Sequence, residues 1–391
     1  MRLMFISDFT EQFAYRLLRG VLRYSQEKEA HWVVCKMPPA YMRQMGLRKV
    51  VDLAEGWHAD VVIGQFEPGD NLKLFHKKGM VVLAQDYISL FDDVPNITAD
   101  YHRMGAMAAE RFLARGFREF AYFGNNGMCW SDGRRDGFRE RLAAAGVGEE
   151  HIHIYGRRQR ISNLWFYNQG WLYDWLQALP KPVGIMACDD NQASILVEAC
   201  TAIGIRVPFD AAIIGVDNDE IVCNMTEPSL TSIDVDIERG GYEAAALAEK
   251  MAREKDFRGR NIVLQPLSIV TRTSSNVIAT RDTGIHQALQ YINDNIDHKI
   301  LVTDVLAHVP MSRRLLEQRF LKATGSTIYQ YITQLRVDRF AQLLLSSKDS
   351  VADICARMDE PDPKNLSRRF KAIKGCTPTA YRKKNLRKLG V

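Results

Sequence analysis

The sequence contains no run of about 18 consecutive apolar residues, the length that a helix needs to cross a bilayer. Its start also lacks the apolar core and cleavage site of a signal peptide, because a short apolar run is broken at once by Asp8. The seven cysteines are scattered and never form a C-x-x-C pair, which argues against a disulfide framework and a zinc cluster. These absences predict a cytoplasmic protein with no membrane partner and no metal site.

Motifs of the common enzyme classes are absent as well. We find no phosphate-binding G-x-x-x-x-G-K-[ST], no dinucleotide-binding G-x-G-x-x-G, no nucleophile G-x-S-x-G and no zinc-binding H-E-x-x-H. The nine histidines show no ligand spacing. An α/β enzyme with a helical appendage is therefore the least favoured interpretation, and the sequence predicts no catalytic residue and no cofactor.

The net charge of +5 is unevenly distributed along the chain. Residues 283–391 carry 19 Lys+Arg against 10 Asp+Glu, whereas residues 1–282 carry 33 against 37. A basic module attached to a slightly acidic one is expected when a single domain meets a polyanion such as DNA. On charge alone, a solvated charged surface explains the numbers equally well.

Residues 1–275 alternate short β-branched runs with amphipathic stretches of helical period. The candidate strands are Arg2–Ile6, Trp32–Cys35, Val61–Gln65, Val81–Ala84, Phe120–Phe123, Gly184–Ala187 and Ala212–Val216. Repetition of strand and helix indicates parallel sheets with helices on both faces, and the length suits two such sheets.

Polar side chains follow several of these strands, namely Asp8, Gln65, Asp86, Asp189, Asp190 and Asp217. Ligands of open α/β sheets bind outside the carboxyl ends of the strands. We therefore expect these side chains to converge on one crevice.

A polar stretch without strong periodicity follows, and we interpret residues 276–284 as a linker. Beyond it, residues 285–391 predict an all-α domain in which two parts share one layout: a short helix, a turn and an arginine-rich helix. The first copy reads VTDVLAHV then SRRLLEQRF, and the second reads VADICARM then DPKNLSRRF. Each copy predicts a helix-turn-helix, whose second helix enters the major groove of DNA.

The second helix of each unit carries side chains that suit DNA. Arginine and lysine can bond guanine, asparagine and glutamine can bond adenine, and basic residues neutralise phosphates. The candidate DNA-binding residues are Arg313, Arg314, Gln318 and Arg319 in the first unit, with Lys364, Asn365, Arg368 and Arg369 in the second. The apolar pairs Leu316 with Phe320 and Leu366 with Phe370 are spaced four residues apart, so we expect them to face the core.

This C-terminal segment resembles the AraC family of bacterial regulators. The run FKAIKGCTPTAYR, residues 370–382, matches the closing signature of that family, and RFLKATG, residues 319–325, is similar to it. The linking helix also matches through Arg336, Leu343 and Leu344, followed by Ile354 in the second unit. The resemblance implies that the two recognition helices enter successive major grooves.

The second turn departs from the family. Where the family has Gly followed by Phe or Tyr, this chain has Asp359 and Glu360. We expect Asp359 to adopt the left-handed conformation that glycine would adopt. Because a core aromatic is lost, we also expect the second unit to dock more loosely or to read DNA less strictly.

The first 275 residues contain ITADYHRMGAMAA (97–109), RRDGF (134–138), and then MACDDNQA, IIGVDNDE and PSLTSI in that order. Through these runs they resemble the periplasmic-binding-protein-like sensor domain of the lactose and galactose repressor family. By position, the resemblance implies that Asp100, Arg134, Asp189 and Asp217 hold sugar hydroxyls.

A neutral polyol suits these residue types, because carboxylates accept hydroxyl bonds, arginine donates in a fork and an aromatic ring stacks on a sugar face. The candidate ligand-binding residues are Asp8, Phe13, Tyr15, Asp100, Trp130, Arg134, Asp189 and Asp217. The alternative for each aspartate is a helix N-cap, and we assign the cap to Asp190 and the ligand role to Asp189. For Phe13 and Tyr15 the alternative is core packing of the first helix, and position favours Arg134 over Arg135.

A repressor-type sensor followed by an AraC-type tail resembles the family of xylose operon regulators over nearly the whole chain. The resemblance implies D-xylose or a similar pentose as effector, double-stranded DNA half-sites as target, a homodimer, contact with RNA polymerase and activation of pentose-catabolic genes. Two alternatives stay open. The tail could bind a protein partner, in which case the interaction would be insensitive to salt. The crevice could instead take an amine-bearing molecule.

Overall fold

The structure of the chain is a computed structural model that describes residues 1–155, 169–254, 259–280, 282–347 and 349–388. It divides into two compact units. The α/β unit comprises Met1–Ala114 and Arg118–Ser275, and the helical unit comprises Arg115–Phe117 and Asn276–Val391.

The α/β unit alternates strands and helices. Its strands are β1 (Arg2–Ile6), β2 (Val33–Met37), β3 (Val61–Gln65), β4 (Val81–Gln85), β5 (Asn96–Ala99), β6 (Glu119–Phe123), β7 (Ile152–Ile154), β8 (Val183–Ala187), β9 (Ala211–Val216), β10 (Thr231–Val235), β11 (Ile262–Leu264) and β12 (Pro266–Val270). Its helices are α1 (Gln12–Glu27), α2 (Pro39–Met45), α3 (Leu47–Gly56), α4 (Lys73–His76), α5 (Tyr101–Ala114), α6 (Cys129–Ala144), α7 (Gln169–Ala178), α8 (Asp190–Ala202), α9 (Glu220–Met225) and α10 (Ile237–Arg253).

The strands form two six-stranded sheets, one in each lobe. The first has the order β11-β5-β4-β3-β1-β2 and is parallel throughout. The second has the order β12-β10-β9-β8-β6-β7, and in it only β12 runs antiparallel to its neighbour. The central strands are almost entirely buried, as expected when helices cover both faces of a parallel sheet.

Glycines bring helices α5 and α6 of the second lobe into backbone contact. A Cβ atom on Gly105 would lie 2.1 Å from the carbonyl oxygen of Arg134, and one on Gly137 would lie 2.2 Å from that of His102. Any larger residue would push the helices apart. This close approach places Arg134, on α6, beside Tyr101 at the start of α5.

The helical unit contains α11 (Thr283–Asp294), α12 (Val302–His308), α13 (Arg313–Thr324), α14 (Ile328–Ser346), α15 (Val351–Arg357), α16 (Pro363–Lys374) and α17 (Pro378–Lys388). Helices α12 and α13 form the first helix-turn-helix, α15 and α16 form the second, and α14 connects them. Gly325 and Gly375 end the two recognition helices in the left-handed conformation. The four predicted core residues, Leu316, Phe320, Leu366 and Phe370, are at most 2% exposed, so that prediction is confirmed.

The predicted fold class, a two-lobed α/β module followed by an all-helical one, is confirmed. The seven predicted strands correspond to β1–β4, β6, β8 and β9. The five strands that the sequence did not predict have three to five residues each, and β7, β11 and β12 lie at sheet edges. Helix α11 begins two residues before the predicted start at Ile285, because the Asp282 carboxylate caps it by accepting from the N–H groups of Gly284 and Ile285.

Candidate functional site

Side chains from both lobes converge at the carboxyl ends of the strands. Glu11, in the first lobe, interacts electrostatically with Asp8 of the same lobe and with Arg134, Asp189 and Asp217 of the second. Asp8 follows β1, Asp189 follows β8 and Asp217 follows β9. We call the space that these five side chains border the crevice.

Arg134 is the cation at the centre of the crevice. It is 4% exposed, and its guanidinium donates to the carbonyl oxygen of Cys188 and, over 3.1 Å, to Oδ1 of Asp217. The guanidinium carbon lies 5.4 Å from the ring centroids of both Tyr101 and Trp130. Burial alone would lower the pKa of Arg134, but the charge of Asp217 raises it above its ordinary value, so the side chain stays charged.

The Arg134 Nε atom is buried and has no hydrogen-bond partner within the described residues. The Arg134 guanidinium therefore keeps one N–H donor unsatisfied after its bonds to Cys188 and Asp217 are counted. Arg135, in contrast, forms ion pairs with Asp132 and Asp136 at 2.6 and 2.9 Å. The structure thus places Arg134 and not its neighbour in the crevice.

Asp217 adopts an uncommon backbone conformation. Its φ angle is 94° and that of Asn218 is 49°, although neither residue is glycine. The Asp217 carbonyl oxygen accepts a 2.5 Å hydrogen bond from Arg16 of helix α1, which also donates over 2.9 Å to the carbonyl of Val235. Asp217 is therefore held from the first lobe through its backbone and by Arg134 through its carboxylate.

The helix cap expected at Asp190 is formed by Asp189 instead. Asp189 is the N-cap of α8, since its Oδ1 accepts from the Gln192 N–H over 2.7 Å. Asp190 is 2% exposed and accepts from the Asp219 N–H over 2.7 Å. The assignment of the cap to Asp190 is therefore wrong. The Asp190 carboxylate instead accepts a long-range hydrogen bond from the loop after β9. Burial raises the pKa of Asp189.

Asp100 and Asp8 also use their carboxylates in local turns. Asp100 accepts from the Arg103 N–H over 3.0 Å, as an N-cap of α5 would, so the alternative role is realised there. Asp8 accepts from the N–H and hydroxyl of Thr10. Only Asp8 of these two is joined electrostatically to Glu11.

The three candidate aromatic residues occupy different surroundings. Trp130 lies against Arg134, as described above. Tyr15 is 45% exposed, so it is not a core residue, and it packs edge-on against Phe9 with the Lys36 ammonium 5.2 Å from its ring. Phe13 is half-buried on helix α1. Of the three, Trp130 has the clearest link to the crevice.

Glu11 and Arg16 are crevice residues that the sequence did not single out. Glu11 lies just before helix α1, three positions after Asp8, and Arg16 lies one turn into the helix. Glu11 keeps an exposed edge, yet the protein packed around its carboxyl group, together with the negative charges of Asp189, Asp217 and Asp8, raises its pKa to about 8. A glutamate shortly after the first strand-end aspartate is the signal that could have found it.

The raised pKa of Glu11 predicts a pH-dependent stability. Between about pH 5 and pH 8 the folded chain holds a proton on Glu11 that the unfolded chain has lost, so stability falls as pH rises through this window. Glu11→Gln removes that contribution. We expect the melting temperature of the variant to exceed that of the wild type by more at pH 8 than at pH 5. Scanning calorimetry at both pH values, with exposed Glu29→Gln as the control, measures this, and an equal difference at both would contradict it.

The candidate DNA-binding residues of the first unit fall into two groups. Arg314 and Gln318 are exposed on α13, and the structure records no hydrogen bond or ion pair for them within the described residues. Arg313 pairs with Glu317 one turn along the helix, at 2.9 Å. Arg319 pairs at 2.9 Å with Asp282, the cap of α11. Arg319 is thus engaged within the helical unit.

The second unit repeats this arrangement. Lys364 and Arg368 are exposed on α16, and Arg368 donates to Oδ1 of Asn365 over 3.2 Å. Arg369 occupies the position that corresponds to Arg319, and its guanidinium lies over the ring of Tyr329 at 5.7 Å from the centroid. The arginine before the core phenylalanine therefore contacts the helical unit in both copies.

Helix α14 joins the two helix-turn-helix units through buried polar contacts. Arg336 is 6% exposed and donates to the carbonyl oxygens of His298, before α12, and of Met358, at the end of α15. Arg339 forms a two-bond ion pair with Asp297 at 2.7 and 2.8 Å, which lowers the pKa of that carboxyl. One helix thereby holds both the loop before α12 and the turn of the second unit.

The unusual second turn takes part in this network. Asp359 has a φ of 48°, so the expectation that it replaces glycine in the left-handed conformation is confirmed. Its carboxylate lies 2.7 Å from Nδ1 of His298, and the Glu360 carboxylate lies 3.5 Å from Arg336. The Glu360–Arg336 ion pair thus stands where the family has an aromatic side chain. Whether the second unit reads DNA less strictly stays a prediction.

Two features are absent from the described residues. No helix in them is both long and apolar enough to cross a membrane. In the same part of the chain, no three His, Cys, Asp or Glu side chains are grouped so that they could hold a metal ion.

The chain matches known protein families in both units. Residues 109–275 match a periplasmic binding protein-like domain, and residues 305–384 match a helix-turn-helix domain. The xylose operon regulatory protein of Haemophilus influenzae is 30% identical over 291 residues, which cover 74% of each chain. That of Escherichia coli K12 is 25% identical over 98% of this chain and 97% of its own. A solved structure titled as the xylose-binding transcription activator xylR aligns with a TM-score of 0.72 and 24% identity, covering 98% and 97% of the two chains.

A two-lobed α/β sensor combined with paired helix-turn-helix units defines a sugar-responsive, DNA-binding transcription regulator of the AraC type. Within that class, the chain belongs to the family of xylose operon regulatory proteins.

Proposed function

We propose that the crevice binds D-xylose or a closely similar pentose and that this binding controls the attachment of the helical unit to promoter DNA. The observation that carries the proposal is the buried Arg134–Asp217 pair. Its carboxylate can accept from sugar hydroxyls and its guanidinium retains an unpaired donor, while Tyr101 and Trp130 flank it with aromatic faces. The names of the relatives support xylose as the sugar.

The proposed mechanism is closure of the two lobes around the sugar. Arg16 already bonds the first lobe to Asp217 of the second, so a ligand on Asp217 acts at a point that both lobes share. The sugar can shift the equilibrium only through its higher affinity for the closed state. We propose Asp8, Asp189, Phe13, Tyr15 and Trp130 as further ligand contacts, with Asp100 serving mainly as a cap.

On the DNA side, we propose that α13 and α16 enter successive major grooves. Arg314, Gln318, Lys364, Asn365 and Arg368 then face bases and phosphates, with Arg313 beside them. We propose that two copies bind repeated half-sites and activate transcription through contact with RNA polymerase. Because the proposed target is chromosomal DNA, we propose that the regulator works in the cytoplasm. We assign it no catalytic role.

The acidity of the crevice supports a second candidate effector. The four acidic side chains Asp8, Glu11, Asp189 and Asp217 outnumber the arginines Arg16 and Arg134, and Arg134 is already paired with Asp217. A ligand with an amino group would neutralise part of this charge, as an amino sugar or a polyamine could. With such an effector the helical unit would still bind DNA, but the regulator would respond to an amine and not to a pentose.

A thermal-shift panel tests the proposal. All six tryptophans lie in residues 1–275, so tryptophan fluorescence follows the α/β unit alone. A ligand at 100 times its Kd adds about 2.7 kcal/mol to the stability of the folded state. We expect D-xylose to raise the melting temperature more than other pentoses, hexoses, amino sugars and polyamines do. A shift with an amine alone would support the second candidate, and no shift with any sugar would sink the pentose assignment.

A further inference from the structure

Three arginines hold the turn Asp217–Asn218 from three directions. Arg134 bonds the Asp217 carboxylate, and Arg16 bonds the Asp217 carbonyl. Arg272 donates over 2.9 Å to Oδ1 of Asn218. The turn is thus the point at which the crevice, the first lobe and the end of the α/β unit meet.

The turn is held in a conformation that is uncommon for two successive residues other than glycine. Both residues have positive φ angles, which residues other than glycine rarely adopt twice in succession. Such backbone persists where surrounding bonds enforce it, and here the enforcing groups are arginines and the Ser232 hydroxyl, which accepts from the Asn218 N–H. A change in any of these bonds is therefore expected to change the backbone conformation of the turn.

Arg272 also lies where the α/β unit ends. It follows β12 and precedes the turn Thr273–Ser275, after which the chain enters the helical unit at Asn276. Its guanidinium donates to the Leu230 carbonyl as well as to Asn218, and its N–H donates to the Thr231 hydroxyl. Two residues on, Ser274 bonds the Ile213 carbonyl of β9, the strand that ends at the turn.

We propose that Arg272 is the positioning residue through which the sugar site acts on the segment that leads to the helical unit. Arg272 donates a hydrogen bond to Asn218, the residue after the proposed sugar ligand Asp217. Along the chain, Arg272 directly precedes the segment that leads to the helical unit. A ligand that changes the Asp217–Asn218 turn therefore changes an acceptor of Arg272 directly. This inference rests on the proposed function, because it assumes that the effector contacts Asp217.

The test measures coupling, which a loss of folded protein alone does not alter. The probes are D-xylose, followed by tryptophan fluorescence, and a DNA duplex that the wild-type chain selects from a random pool. If xylose raises DNA affinity by some factor, DNA raises xylose affinity by the same factor, typically about 5- to 150-fold. We expect Arg272→Gln to reduce this factor to less than about twofold while the variant still binds D-xylose measurably without DNA.

Companion variants separate coupling from structure. Asn218→Gly removes the acceptor but suits the positive φ, so it should lose coupling as Arg272→Gln does even if that variant folds poorly. Asn218→Asp keeps an acceptor for Arg272 and should retain coupling. Arg272→Lys should be intermediate, because an ammonium lacks the fixed fork that reaches Leu230 and Asn218 together. Arg206→Gln, which removes an arginine paired with Asp210 in the same lobe, is the matched control and should couple like the wild type.

The outcomes distinguish the two proposals. Undiminished coupling in both Arg272→Gln and Asn218→Gly, with xylose still bound, would overturn the role of Arg272 and leave the proposed function intact. Failure of the wild type to bind xylose would overturn the proposed function, and this inference with it. Loss of coupling in both variants and its retention in Asn218→Asp and Arg206→Gln is the result that supports the inference.

Discussion

Asp217→Asn is expected to weaken D-xylose binding by at least about 100-fold, which corresponds to about 2.7 kcal/mol at about 1.4 kcal/mol per tenfold. Hydrogen bonds to charged groups contribute about 1.5–3 kcal/mol each, and the substitution removes the charge from an acceptor that faces the crevice. It also leaves the buried guanidinium of Arg134 without its ion pair. Titration calorimetry of wild type and variant measures the change.

The Asp217→Asn substitution is expected to disturb the rest of the structure little. Asparagine tolerates a positive φ as aspartate does, and the backbone bond from Arg16 to residue 217 does not depend on the side chain. Asp136→Asn removes an aspartate that pairs with Arg135 outside the crevice and should bind xylose like the wild type. If Asp217→Asn bound xylose within about threefold of the wild type, the carboxylate would not be a sugar ligand, because one such bond is worth more than that.

Local sequence signals predicted the elements and several crevice positions. Buried strands of a parallel sheet read as continuous apolar runs, so the aspartates at their ends were visible, including Asp217 after AAIIGV. The resemblance carried by RRDGF favoured Arg134 over Arg135, and in the structure Arg134 pairs with Asp217 whereas Arg135 pairs with Asp132 and Asp136. The role of Arg134 in binding the sugar stays a prediction. The two recognition helices carried apolar pairs at helical spacing, and these are buried.

Long-range contacts account for what the sequence missed. Asp189 and Asp190 are equivalent as local caps, and a bond to Asp219 in another loop decides between them. Glu11 belongs to the crevice because two lobes bring four carboxylates together, which no local pattern records. The contacts of Arg319 with Asp282 and of Arg369 with Tyr329 also lie outside the repeated motif, so the sequence did not indicate them; DNA binding by these two arginines stays a prediction.

The contrast between Arg314 and Arg319 gives the second large expected effect. Arg314→Ala should lower affinity for the selected DNA duplex by about 10- to 100-fold, since a guanidinium on a base or phosphate contributes about 1–3 kcal/mol. Arg319→Ala should cost less than about threefold, because its guanidinium already pairs with Asp282. Fluorescence anisotropy of labelled duplex at several salt concentrations measures both.

The salt dependence identifies what Arg314 touches. A phosphate contact would reduce the slope of log affinity against log salt by about 0.9, whereas a base contact would leave the slope unchanged and relax specificity at one position. Lys364→Ala and Arg369→Ala provide the same comparison in the second unit, since Arg369 lies over Tyr329. If Arg319→Ala and Arg369→Ala lost as much affinity as Arg314→Ala and Lys364→Ala, then the faces of α13 and α16 that meet DNA would include the arginines before Phe320 and Phe370. Their contacts to Asp282 and Tyr329 would then have to open on binding.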